Sequence, residues 1–258
     1  MLEVDAAVIG GWVGAVFWPF CRIGGLIMVA PIFGTQVVPA RVRLMFAIVL
    51  TLAVYPVLPP MPQLDLVSLP SFVIVAQQVL IGVAMGLILQ VLLQVFVVAG
   101  QIAAMHMGLG FASMVDPTNG ISVTVLSQFY LMLATLLFLA MNGHLVMIEV
   151  LVESFRTLPV GMGFISNNAL WQLVSWGGWM FASALLMALP IVASMLIINF
   201  SLGVITRAAP QLNIFAIGFP AMLVIGLCIV WITLNNFAPQ FDRYTREALD
   251  LMAQITVR

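Results

Sequence analysis

Lysine is absent from this 258-residue chain, and only 7% of its residues carry a charge. An ordinary soluble domain is about 25% charged, so a water-soluble globule is excluded. The eight basic residues are all arginines, they form no stripe, and the formal net charge is −1. No nucleic-acid partner is expected. Cysteine is scarce as well. Cys21 and Cys228 lie in separate apolar runs, which suits neither a disulfide framework nor a metal site. His106 and His144 stand alone, with no Cys, His or carboxylate at ligand spacing. There is no phosphate-binding glycine loop, and Ser, His and Asp are too sparse for a hydrolase site. The sequence predicts neither an enzyme nor a cofactor.

The placement of acidic residues excludes more. Glu3, Asp5, Asp65, Asp116, Glu149, Glu153, Asp242, Glu247 and Asp250 all fall in loops, at run ends or in the tails. A secondary transporter places ionisable groups near the bilayer midplane to bind ions or relay protons. Arg22 alone is central in an apolar run. If the chain conducts anything, another subunit must supply the drive. A stand-alone transporter or channel is the weaker alternative.

What is there is apolar: 64% of residues are hydrophobic. Six runs stand out, at about 6–34, 44–60, 71–109, 121–148, 169–205 and 212–238, each long enough, or nearly so, for the roughly 20 residues of a spanning helix. The N-terminus, MLEVDAAV, has no basic n-region, so the first run is expected to stay in the mature protein. Breaker clusters around Pro39, Pro56 to Pro70, Asp116-Pro117, Pro159 and Pro210 separate the runs. The ten-residue alternation of a membrane barrel is missing. The expected fold is all-α: an integral membrane-type multi-helix protein with long, kinked hydrophobic helices, forming one unit over 1–258.

A plain six-helix bundle fits poorly. Residues 71–109 predict one helix of about 58 Å, and 121–156 one of about 54 Å, against a hydrocarbon core of about 30 Å. Tilt absorbs only part of the excess. Arg41 and Arg43 place their loop in the cytoplasm, and Arg207 agrees, but Arg243, Arg246 and Arg258 then fall outside. Pro19, Pro31, Pro190 and Pro220 imply kinks or broken helices. Gly10 with Gly14, and Gly82 with Gly86, have the spacing that lets helix backbones approach. Arg22 must face protein or a wet cavity. From Pro239 the tail reads as an amphipathic helix with Phe241, Tyr244, Ala248, Leu251, Met252 and Ile255 on one stripe. It either lies on the membrane surface or docks a partner.

Residues 105–120, MHMGLGFASMVDPTNG, join two long runs and are too apolar for a solvated loop. One reading is a re-entrant connection that fills a bundle core. The other is a constriction, in which Met105, Met107, Phe111 and Met114 beside the flexible Gly108 and Gly110 close a pore by dewetting.

Several stretches resemble the FliR/SctT-type family of type III secretion export gate subunits. They are RIGGLIMVAPIFG at 22–34, VPARVR at 38–43, GLGFASMVDP at 108–117, NGH at 142–144, SFRTLP at 154–159 and GVITRAAPQLNIFAIGFP at 203–220. The resemblance covers essentially the whole chain, is nearer to flagellar than to virulence-type systems, and implies a core subunit of a flagellar protein export gate. It further implies a FliP-like part at about 1–165 and a FliQ-like helical hairpin at about 166–258. The implied assembly contains FliP and FliQ, with FlhB and FlhA on the cytoplasmic side, in the inner membrane at the flagellar basal body and largely to its periplasmic side. Unfolded flagellar proteins would pass through it, and membrane lipid would surround it. The family places a plug in the segment matching 106–120, so Phe111 and Met114, with Met105, Met107, Gly108 and Gly110, are expected to seal the channel. Arg207 and Gln211 are expected to form an inter-subunit polar turn, with Arg22 in a similar structural role.

Overall fold

The structure is a computed structural model and describes residues 6–34, 38–62, 68–109, 124–161, 163–208 and 214–256, with backbone alone described at 6–13 and 214–217. Among them are eight α-helices and no strand: α1 Ala6–Val29, α2 Ala40–Val54, α3 Leu69–His106, α4 Val125–Ala140, α5 Gly143–Thr157, α6 Asn167–Ala208, α7 Ile214–Thr233 and α8 Phe237–Gln254. The all-α membrane-type class holds. Four helical segments are long and apolar enough to cross a membrane: Ala40–Val57, Leu69–His106, Asn167–Ala208 and Gly218–Gln254. Counting α4 with α5 as one broken span makes five. α1 is a further apolar helix of 24 residues, Ala6–Val29.

Two compact units are present. The first comprises 1–91, 141–177 and 245–258, and the second 92–140 and 178–244. In the first, α1 and α3 approach backbone to backbone. A Cβ on Gly25 would stand 2.6 Å from the Val79 carbonyl oxygen, one on Gly86 3.0 Å from the Leu26 oxygen, and one on Gly82 would overlap the Arg22 carbonyl. Glycine is required at those crossings, and the Gly82/Gly86 expectation holds. Gly14 instead faces its own Trp18. At the end of α1 the β-branched Ile32 is held at φ 74°, an unfavourable backbone state, and Phe33 stacks on Phe46 of α2 at 5.0 Å.

The second unit is built on aromatic rings. Phe96 of α3 lies 5.2 Å from Phe237 and 5.5 Å from Phe241 of α8, centroid to centroid. Tyr130 of α4 meets Phe237 edge-on at 5.4 Å, and Trp179 of α6 meets Tyr244 at 5.4 Å. A Cβ on Gly100 would lie 2.7 Å from Ser127 Cα, so α3 and α4 are close there.

Two expectations need correction, and one is narrowed. Residues 121–156 are not one helix: the chain breaks at Met141-Asn142, where Asn142 takes φ 57°. Asn and Gly tolerate the left-handed region that ends a helix, and the Asn-Gly pair at 142–143 supplies both. Pro19, Pro190 and Pro220 do not break their helices, which continue through all three. In apolar surroundings, forfeiting one hydrogen bond costs less than stranding several backbone groups. Pro31 does follow the end of α1. The C-terminal stripe is neither membrane-facing nor free for a partner. Phe241, Tyr244, Ala248, Leu251, Met252 and Ile255 are all buried within the chain, and Thr157 Oγ1 donates to Thr256 Oγ1 at 3.2 Å.

Candidate functional site: a buried arginine and the end of the long helix

Arg22 is fully buried in the first unit. Its Nε donates to Gln78 Oε1 of α3 at 2.8 Å. Nη1 donates to the Ser154 carbonyl at 2.8 Å and to Ser154 Oγ at 3.0 Å. Nη2 reaches the Leu158 carbonyl at 2.8 Å, and the guanidinium carbon sits 4.2 Å from the centre of the Phe155 ring. None of these partners is a carboxylate. The charge is met by the carbonyl end of α5, where the helix dipole is negative, and by a ring face. Three helices are thereby held at one residue. Sequence reasoning placed Arg22 against protein but missed Gln78, Ser154, Phe155 and Leu158. The signal was available in the SFRTLP stretch, whose Ser, Phe and Leu surround the guanidinium.

At the other candidate, α3 ends in a Schellman turn. The Leu109 N–H bonds the Ala104 carbonyl at 2.9 Å and the Gly108 N–H bonds the Met105 carbonyl at 3.2 Å, with Gly108 at φ 83°. A residue with a Cβ is strained there and would also press on the Phe219 ring at 3.2 Å. Met107 is fully buried and fills the space left by Gly226 of α7, where a Cβ would stand 2.7 Å from its Cε. Met105 points outward, 59% exposed. The chain resumes at Thr124, whose Oγ1 accepts from the Ser127 N–H at 3.3 Å and caps α4. Leu109, Val125 and Phe129 then line an apolar cavity of about 580 Å³ with Leu223, Leu227 and Trp231 of α7.

Thus Met107 and Gly108 lie together against α7, and Met105 does not. Gly110, Phe111 and Met114 lie outside the described residues, as does Gln211. Arg207 is exposed in the last turn of α6, far in sequence from both places. Arg156 and Glu153 form an exposed pair at 3.4 Å. No group of three His, Cys, Asp or Glu suited to a metal ion occurs among the described residues.

Such a set of groups positions helices and lines an apolar cavity. Residues 13–248 match the family model described as bacterial export proteins, family 1. The flagellar biosynthetic protein FliR of Pectobacterium carotovorum subsp. carotovorum is 38% identical over 255 residues, covering 99% of this chain and 97% of that one. This chain belongs to the FliR family. The FliR of Escherichia coli (strain K12) is also 38% identical over 255 residues, and that of Bacillus subtilis (strain 168) is 26% identical over 84% of this chain and 87% of its own. As a member, the chain is a membrane-embedded flagellar export protein and not an enzyme.

The buried Arg22 of this FliR-family chain generates a stability prediction. Arg22→Ala strips donors from Gln78, Ser154 and Leu158 and is expected to cost about 3–5 kcal/mol. Thermal melting in detergent should show the loss, with Arg22→Lys recovering part of it. Unchanged melting of Arg22→Ala would contradict the assignment.

Proposed function

We propose that this chain is a core subunit of the flagellar type III protein export gate, in which it joins FliP and FliQ to form the channel for unfolded flagellar proteins. The observation that carries this reading is the apolar length that α6 leaves uncovered. Large hydrophobic residues are exposed from Trp171 to Ile205, among them Phe181, Leu196 and Phe200. At 1.5 Å per residue that is about 51 Å of helix. A bilayer of about 30 Å covers at most about 39 Å of a helix, even when tilted by 40°. The remainder needs protein, and neighbouring gate subunits are the covering this reading supplies. A stand-alone transporter has no such source.

The division into a FliP-like part at about 1–165 and a FliQ-like hairpin at about 166–258 belongs to this reading. It concerns likeness to other subunits rather than compactness, and so differs from the two units above. FlhB and FlhA would meet the assembly on its cytoplasmic side in the inner membrane, with much of the gate on the periplasmic side.

The channel seal is assigned to Met105, Met107, Gly108, Gly110, Phe111 and Met114. Support comes from Met107 and Gly108, which pack against α7 directly before the segment, and from the apolar cavity that Leu109, Val125 and Phe129 line with α7. Large apolar side chains there exclude ions while letting an unfolded chain displace them. Exchanging both Phe111 and Met114 for Gly is expected to raise ion conductance of the assembled gate severalfold in planar bilayers. Conductance equal to the wild type would sink the seal.

Arg207 and Gln211 are assigned to an inter-subunit polar turn, supported by the exposure of Arg207 at the α6 end. Arg207→Ala should lower recovery of the complex with FliP and FliQ after detergent extraction, while leaving expression of the chain intact. Full recovery would remove Arg207 from the interface.

A further inference from the structure

An apolar groove of about 210 Å³ runs between α1 and α2 in the first unit. Cys21, Gly24 and Met28 of α1 line it, with Leu44 and Ala47 of α2 and Val79 of α3. Cys21 to Met28 spans about 10 Å of helix. Arg43 is the one charged side chain among the described residues that line it. A helix, at 10–12 Å across with its side chains, is too wide to enter; a single alkyl chain is not.

Gly24 is the informative residue. Its neighbour Gly25 must be small because α3 lies against it, but a Cβ on Gly24 would meet nothing within 4 Å. Glycine inside a helix is unfavourable relative to alanine, and packing within the chain gives no reason for it here. Its absence of a side chain leaves the groove open.

The surroundings specify the occupant. The groove flanks α2, part of a span apolar enough to cross a membrane and only 22% buried; Val42, Met45 and Val49 are all exposed. Arg41 and Arg43 stand in the first turn of α2, at the end of that span. No Asp or Glu occurs between Asp5 and Asp65. The Arg43 Nε donates to the Val38 carbonyl at 3.1 Å, and its two terminal nitrogens carry four further donors in a fork that fits phosphate. An alkyl slot that ends at Arg43, with Arg41 in the same helical turn, beside an exposed apolar helix matches one ligand chemistry.

We propose that this groove binds one anionic phospholipid, with an acyl chain along Gly24 and the headgroup phosphate on Arg43 and Arg41. The inference does not rest on the gate reading, and it holds or fails separately. Native mass spectrometry of the full chain in detergent, titrated with phosphatidylglycerol or with phosphatidylcholine of the same acyl chains, tests it.

Wild type is expected to bind one phosphatidylglycerol at least about fivefold more tightly than phosphatidylcholine. Gly24→Leu fills the slot and should weaken both lipids about tenfold. The double exchange Arg41→Gln, Arg43→Gln should abolish the preference for phosphatidylglycerol and leave phosphatidylcholine binding in place. Equal binding of both lipids by wild type would overturn the proposal, as would binding by Gly24→Leu at the wild-type level. If Gly24→Leu shows no thermal transition, the arginine variant decides: a retained preference overturns the headgroup assignment. In a parallel measurement on the chain co-expressed with FliP and FliQ, loss of a subunit from Gly24→Leu with lipid retained would overturn the proposal, because protein then fills the groove.

Discussion

The buried charge of Arg22 is the constraint on which the first unit depends. A guanidinium inside apolar protein is tolerated only when its donors are taken up, and here the carbonyl end of α5, Gln78 of α3 and the Phe155 ring take them up together. That geometry requires α1 and α3 to lie close, and Gly25, Gly82 and Gly86 make the approach possible. It also requires α5 to begin afresh after α4, and Asn142-Gly143 provide the break. Three stretches of sequence far apart in the chain are thus parts of one arrangement.

The apolar runs, the long third helix and the charge-poor interior were legible because the helix period and hydrophobic content are local properties. The α4–α5 break was not, because Asn142 and Gly143 are two weak signals inside a run that otherwise reads as continuous. At the prolines the sequence left a kink or a break open, and apolar surroundings favour continuing a helix through Pro190 or Pro220 over opening it. The fate of the C-terminal stripe was also hidden. A stripe such as Phe241, Tyr244 and Met252 states that a face must be covered, but only tertiary packing decides what covers it. Of the candidate site, the need of Arg22 for partners followed from burial cost alone, whereas its actual partners lie 56 to 136 residues away. Gly108 is a clear case in which a glycine read as flexible proves to be a fixed helix cap.

Helices α2, α6 and α7 all leave much apolar surface uncovered. Trp171, Phe200 and Trp231 are each about three-quarters exposed. The interior around Arg22, by contrast, is closed by the chain's own backbone and side-chain groups. A chain built this way is self-sufficient at one place and incomplete at another, as a member of a larger assembly would be.

The most direct measurement is native mass spectrometry of this chain co-expressed with FliP and FliQ and extracted in detergent. The account predicts one discrete complex containing all three proteins. Recovery of this chain alone or self-associated, while FliP and FliQ assemble without it, would contradict the account.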